Sequence, residues 1–224
     1  MHRRTIMQTK TQMIKEILKS AFGLFIFAVG VYLTIQANIG LAPWDCLSMG
    51  ASYRVGMSYG IVHTIISIII LGIDVMLKEK IGYGTILDAL LVGNYVDLID
   101  HIIILPDFNN IPISCIMVIV GLFIMGYGQY FYMGAAQGCG PRDSLLIALG
   151  KRFPKTPIGV VQTVMVGIAL LIGWLLGGPV GIGTVISVFG MGTALQIVCR
   201  IMHFEPRDVI HKNVLETNKT FFQK

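Results

Sequence analysis

Ala37-Asn38-Ile39-Gly40-Leu41-Ala42-Pro43-Trp44-Asp45-Cys46-Leu47 is answered 98 residues later by Ala135-Ala136-Gln137-Gly138-Cys139-Gly140-Pro141-Arg142-Asp143-Ser144-Leu145. The shared skeleton is A-x-x-G-x-x-P-x-D-x-L, and the match spreads outward from it. Upstream, Gly23, Leu24, Phe25, Gly30 and Tyr32 meet Gly121, Leu122, Phe123, Gly128 and Tyr130 at the same offset. Downstream, after a slip of one residue, Gly60, Thr64, Gly82, Gly84, Thr85 and Gly93 meet Gly159, Thr163, Gly181, Gly183, Thr184 and Gly192. The chain therefore contains an internal duplication of about eighty residues.

Composition says where the two copies live. Hydrophobic residues make up 54% of the chain and charged ones 13%, with a mean hydropathy of +0.75, whereas soluble domains carry about 25% charged residues. The apolar runs are long enough for membrane helices of roughly 20 residues and lack the alternation of an outer-membrane barrel. An all-α integral membrane protein is expected. The net charge of +5 gathers in the first 20 residues, in short loops and after Arg200, a distribution that follows membrane topology and not a nucleic-acid patch. Cys46, Cys115, Cys139 and Cys199 form no C-x-x-C pair and read as small hydrophobes, not metal ligands.

Residues 1–20 form a basic segment carrying Arg3, Arg4, Lys10, Lys15 and Lys19. Repeat 1 occupies residues 21–105, repeat 2 residues 111–203, and a basic tail 204–224. The expected spans are 21–36, 59–77, 85–105, 111–133, 158–176 and 184–202. Between the first and second span of each repeat lies a short helix, 43–54 and 141–152, opened by Pro43 or Pro141 at the first helical position with Asp45 or Asp143 two residues on. Twelve residues rise only about 18 Å against a hydrocarbon core of about 30 Å. Each short helix is thus expected to re-enter the membrane or to lie at its interface. Gly82-Tyr83-Gly84-Thr85 opens the third span, with Thr85 as the expected N-cap and Asp88 at the capping-box position.

Lys78-Glu79-Lys80, Lys151, Arg152, Lys155 and the C-terminal tail mark cytoplasmic loops and ends, while the loops at 106–110 and 177–179 lack Lys and Arg. Six spans with both termini inside satisfy this bias except at Arg54. Three spans per repeat is an odd number, so the second copy enters the membrane inverted, and Trp44 gives way to Arg142 on the positive side. Inverted repeats with broken helices recur in secondary transporters.

Within the third span Asn94, Asp97 and His101 share one helical stripe, with Asp100 beside it. Asp97 is expected about 12 Å from the outer end, where an ionisable group faces a cavity or a partner. Two readings stand: a cation- or proton-coupling carboxylate shared with Asn94, or a packing tie to a neighbouring helix. The repeat equivalents are Thr193 and Gln196, which make the facing side neutral. Gly40, Pro43 and Asp45, with Gly138, Pro141, Arg142 and Asp143, either shape two gates or neutralise helix dipoles. Arg142 has Asp143 as a local ion-pair partner, or an anionic substrate. His63, matched by Gln162, is a helix contact or a proton relay, and the glycines at 121, 126, 128, 167 and 173 read as close helix packing.

No H-E-x-x-H, Walker-type or nucleophile-elbow motif occurs, so no enzyme, catalytic residue, cofactor or metal is expected. The paired motifs and the G-x-G-T of both halves make this chain resemble the bacterial YczE/YyaS/YitT family of membrane proteins over about residues 15–203. The resemblance implies a multi-pass protein of the bacterial cytoplasmic membrane and carries no site residues with it. The functional expectation is a small-solute permease working by alternating access, with the bilayer and a small solute, cation or proton as partners. A homo-oligomer is compatible with this plan. The alternative is a membrane accessory protein without transport of its own.

Overall fold

The computed structural model describes residues 10–79, 81–106 and 110–205. Residues 1–9, Lys80, the centre of the 106–110 loop and most of the basic tail lie outside the described residues. Eight helices follow in order: α1 (Lys10–Gln36), α2 (Pro43–Val55), α3 (Tyr59–Met76), α4 (Tyr83–Ile102), α5 (Ile111–Met133), α6 (Pro141–Arg152), α7 (Ile158–Leu175) and α8 (Ile182–Ile201). Five of them, α1, α3, α5, α7 and α8, are long and apolar enough to cross a membrane. The sixth expected span, α4, has the length at 20 residues but carries Asp88, Asp97 and Asp100, which take it out of the ordinary range of apolar spans.

The short helices are what the prolines and glycines dictate. Pro43 and Pro141 open α2 and α6, where a missing N–H costs nothing. Gly56, at φ 68°, closes α2 through its N–H to Ser52 O at 2.9 Å. At about 1.5 Å per residue the 13 residues of α2 reach about 20 Å, short of a full crossing.

At the start of α4 the expected cap is corrected. Gly82 is the N-cap and Thr85 stands three residues on, its hydroxyl accepting from Gly82 N at 3.3 Å. Thr184 does the same for Gly181 at 3.2 Å. Asp88, released from any capping task, faces elsewhere.

The centre of the molecule is α1 against α5, running antiparallel. Glycines let the two backbones touch: a methyl at Gly23 would lie 2.7 Å from Tyr132 N, and one at Gly121 2.9 Å from Gly30 O. Gly126 and Gly173 likewise sit against neighbouring helices, whereas Gly167 faces open space, so its expected packing role is corrected. Helix α4 packs on α1 and α8 on α5, as repeat equivalents should. Near their ends α1 and α4 are tied by Gln36 Nε2 donating to Asp100 at 2.9 Å and by the Tyr32 hydroxyl to Ile103 O.

The motif loops interlock the two repeats. Gly183 N, opening α8, donates to Ile39 O at 2.8 Å, and Gly84 N, opening α4, donates to Gln137 O at 2.7 Å. Ile39 and Gln137 are the same position of the duplicated motif. Each loop turns through a glycine of positive φ, 104° at Gly40 and 114° at Gly138, and each glycine lies against the G-x-G-T of the other half. A side chain at either position has neither the backbone freedom nor the space.

Candidate functional site

Helices α2 and α6 meet start to start. Arg142, second residue of α6, reaches Asp45, third residue of α2, at 3.7 Å, and its guanidinium stacks 5.2 Å from the Trp44 ring centre. The expected local pair with Asp143 is thereby replaced by a pair between repeats. From this junction the helices diverge. Arg54, near the end of α2, donates to Leu176 O at 3.1 Å and caps the last carbonyls of α7, which gives the one charge that broke the topology rule a local task. Lys151, near the end of α6, pairs with Glu79 at 2.6 Å.

Beside the junction lies a polar cavity of about 100 Å³. Its polar lining comes from four helices: His63 on α3, Asp88 on α4, Gln129 and Tyr132 on α5, and Arg142 and Asp143 on α6. Asp88 is five residues into α4, so the cavity is about 7.5 Å from the start of that helix.

Three of these lining residues each carry a buried polar atom without a hydrogen-bond partner: His63 Nδ1, Gln129 Oε1 and Arg142 Nη2. Buried polar groups are ordinarily paired, because an unmade bond costs about 1–3 kcal/mol. Three such residues around one polar cavity make it a fitting place for a polar occupant, water or solute. Asp143 keeps an exposed side chain within this lining and accepts only a long bond of 3.4 Å from the Tyr132 hydroxyl. Asp45, its repeat equivalent, is 3% exposed and held by the Tyr59 hydroxyl at 2.9 Å as well as by Arg142.

Electrostatically the site is unbalanced. Three carboxylates, Asp45, Asp88 and Asp143, surround one guanidinium, with the starts of two helices adding roughly half a positive charge each. Asp45 and Asp143 sit in those first turns and profit from the dipoles; Asp88 does not.

The other expected residues lie elsewhere. Asp97 accepts from Gly60 N at 2.8 Å and from the Ser58 hydroxyl, closing the start of α3. Of the two readings of Asp97, the tie to a neighbouring helix is the one with visible contacts. Asn94 is exposed and its amide donates to Leu90 O at 2.5 Å. Thr193 is exposed and returns its hydroxyl to Phe189 O at 3.2 Å. Gln196 borders a separate groove with Arg200 and His203. Among the described residues no cluster of three or more His, Cys, Asp or Glu could hold a metal ion.

Local sequence rules make Asp88 a cap, and no local signal marks Tyr59, Gln129 or Tyr132. A signal existed for Asp88: its repeat equivalent is Ser187, so a carboxylate is not required at this position of the shared frame.

Comparison with known proteins places the chain. Residues 14–200 match the model of a family of unknown function, DUF6198, and the chain belongs to that family. It is 33% identical over 179 residues to the uncharacterised membrane protein YczE of Bacillus subtilis, covering 78% of this chain and 80% of that one. An uncharacterised protein of Haemophilus influenzae is 29% identical over 197 residues, 86% of this chain and 89% of its own length. The uncharacterised protein YyaS of Bacillus subtilis is 29% identical over 187 residues, 81% and 92% respectively. The resemblance to YczE and YyaS read from the paired motifs is thus borne out. No solved structure matches the chain.

Proposed function

We propose that this membrane protein is a small-solute secondary transporter of the bacterial cytoplasmic membrane, in which two inverted repeats alternate access to the cavity beside Arg142. The observation that carries the reading is the cavity itself: a polar space with three unpartnered buried atoms, formed where two proline-led half-helices meet start to start. Half-helix starts directed at a substrate site between repeats are the working part of many transporters. A packing protein has no use for such a void, since orphaned polar atoms destabilise it.

The antiparallel packing of α1 on α5 and the mutual docking of the motif loops support the inverted arrangement. Asp88 and the last turns of α5 set the cavity toward the end of the bundle where α4 begins. By the positive charges of Lys78, Lys151 and Arg152 that end is cytoplasmic, as are both termini. Asp45, closed off by Tyr59 and Arg142, is the matching position on the outer side. Alternation then amounts to Arg142 leaving Asp45 as the outer half opens, with Asp97 holding α3 as a rigid lever. Asp45 and Asp143, flanked by Gly40, Pro43, Gly138 and Pro141, serve as the two gates.

An uptake screen of small solutes in proteoliposomes tests this, with Arg142→Gln and Asp143→Asn beside the wild type. The expected result is at least one solute whose uptake falls about tenfold or more in both variants, the loss of one charge-assisted contact. Variants that carry everything the wild type carries would remove the cavity from the mechanism.

A further inference from the structure

We propose that the cavity binds a small protonated primary amine. This rests on the cavity being the transport site and adds the class of solute.

Charge decides the sign. Arg142 pairs with Asp45 at 3.7 Å and is the one guanidinium among the three carboxylates Asp45, Asp88 and Asp143, which leaves the cavity wall with an excess of negative charge. Two carboxylates facing one small cavity favour a cation between them or a shared proton. An anionic solute would have to approach both.

Hydrogen-bonding capacity decides the chemistry. Asp88, Asp143 and the unpartnered Gln129 Oε1 are acceptors, and an ammonium group brings three N–H donors. His63, 3% exposed and with its Nδ1 unpartnered, presents a further acceptor in one tautomer. Arg142 Nη2 is a buried unpartnered donor of a residue on this wall, suited to a hydroxyl or carbonyl on the same solute. A bare divalent ion fits poorly, because calcium or magnesium takes six or more oxygens and the described residues form no metal cluster. A quaternary ammonium has the charge and none of the donors. At about 100 Å³ the space admits only a few heavy atoms.

Trp44, stacked on Arg142, provides the readout. Trp174 is the other tryptophan and is 61% exposed; Trp174→Phe leaves Trp44 alone. In detergent-purified full-length protein of this background, methylammonium and ethanolamine are expected to give a saturable change in fluorescence and a rise in Tm. Tetramethylammonium and acetate are expected to give neither. Asp88→Asn and Asp143→Asn should weaken methylammonium binding about ten- to hundredfold, and Asp100→Asn should leave it unchanged. Binding of acetate in preference to methylammonium, equal binding of tetramethylammonium, or no saturable change in either readout would overturn the proposal. Amine binding without flux of any solute would sink the transport reading and leave this one standing. Flux of a different solute without amine binding would do the reverse.

Discussion

Trp44-Asp45 and Arg142-Asp143 occupy the same two steps of the same motif and end in opposite states. Asp45 is closed in by Tyr59 and Arg142, while Asp143 looks into a cavity with one long hydrogen bond. The frame around them is shared: a positive-φ glycine, a proline at the first helical position, and a carbonyl that receives the G-x-G-T of the other half. What differs is a handful of side chains. Tyr59 is matched by Ile158, Asp88 by Ser187, and Arg142 by Trp44. Duplication supplies two equal half-helix starts, and these substitutions leave one beside a polar cavity while the other is closed in.

The largest effects should come from breaking what the two motif copies share. Gly40→Ala and Gly138→Ala force a side chain into a left-handed backbone and against the opposing helix start. Each should cost about 3 kcal/mol or more, read as loss of the monodisperse peak in size-exclusion chromatography. Gly56 also has positive φ but open space around it, so Gly56→Ala should cost only about 1 kcal/mol.

Next in size is the contact that joins the starts of α2 and α6. Arg142→Gln leaves Asp45 buried and charged beside Tyr59 alone, a loss of about 3 kcal/mol. The double variant Arg142→Gln/Asp45→Asn should recover a good part of it in denaturant titrations, because the uncompensated charge is gone.

A smaller effect separates the two acids. Asp45→Asn should destabilise by about 1–2 kcal/mol, since it weakens two bonds to a buried group. Asp143→Asn should stay within about 0.5 kcal/mol of the wild type while losing solute uptake. Equal stability losses would mean that the two acids sit in like surroundings after all. The smallest effect belongs to the exposed Lys151–Glu79 pair, where Lys151→Ala should change stability by less than about 1 kcal/mol.

Much of this plan is written in local sequence. Pro43, Gly56, Pro141 and Gly181 punctuate the chain so sharply that the expected helices fall within one or two residues of the observed ones at most ends. The exception is the start of α1, which runs back to Lys10 through residues that their charge alone assigns to a basic cytoplasmic segment ahead of the first span. The site was less legible, because its partners are distant in sequence. Asp88 sits five residues into a helix and satisfies every local rule for a cap, yet its surroundings are Arg142, Asp143 and Tyr132, brought up by α5 and α6. Asp97 stood out as a mid-membrane acid, and the stripe it shares with Asn94 and His101 is real. What periodicity does not convey is that α3 begins beside it and presents Ser58 and Gly60 for capping. Helix periodicity tells which face a residue occupies; the helix that covers that face is a matter of tertiary packing.

Residues 44 and 142 adjoin each other, so labelling them cannot separate the two sides of the membrane, whereas the far ends of the same helices can. In a variant whose four cysteines are replaced, single cysteines at Arg54 and Lys151 should react with a membrane-impermeant maleimide from opposite sides, Arg54→Cys in intact cells and Lys151→Cys only in inverted vesicles. Labelling of both from one side would mean that the repeats cross the bilayer in the same sense, and the alternation of two gates around Arg142 would have no structural basis.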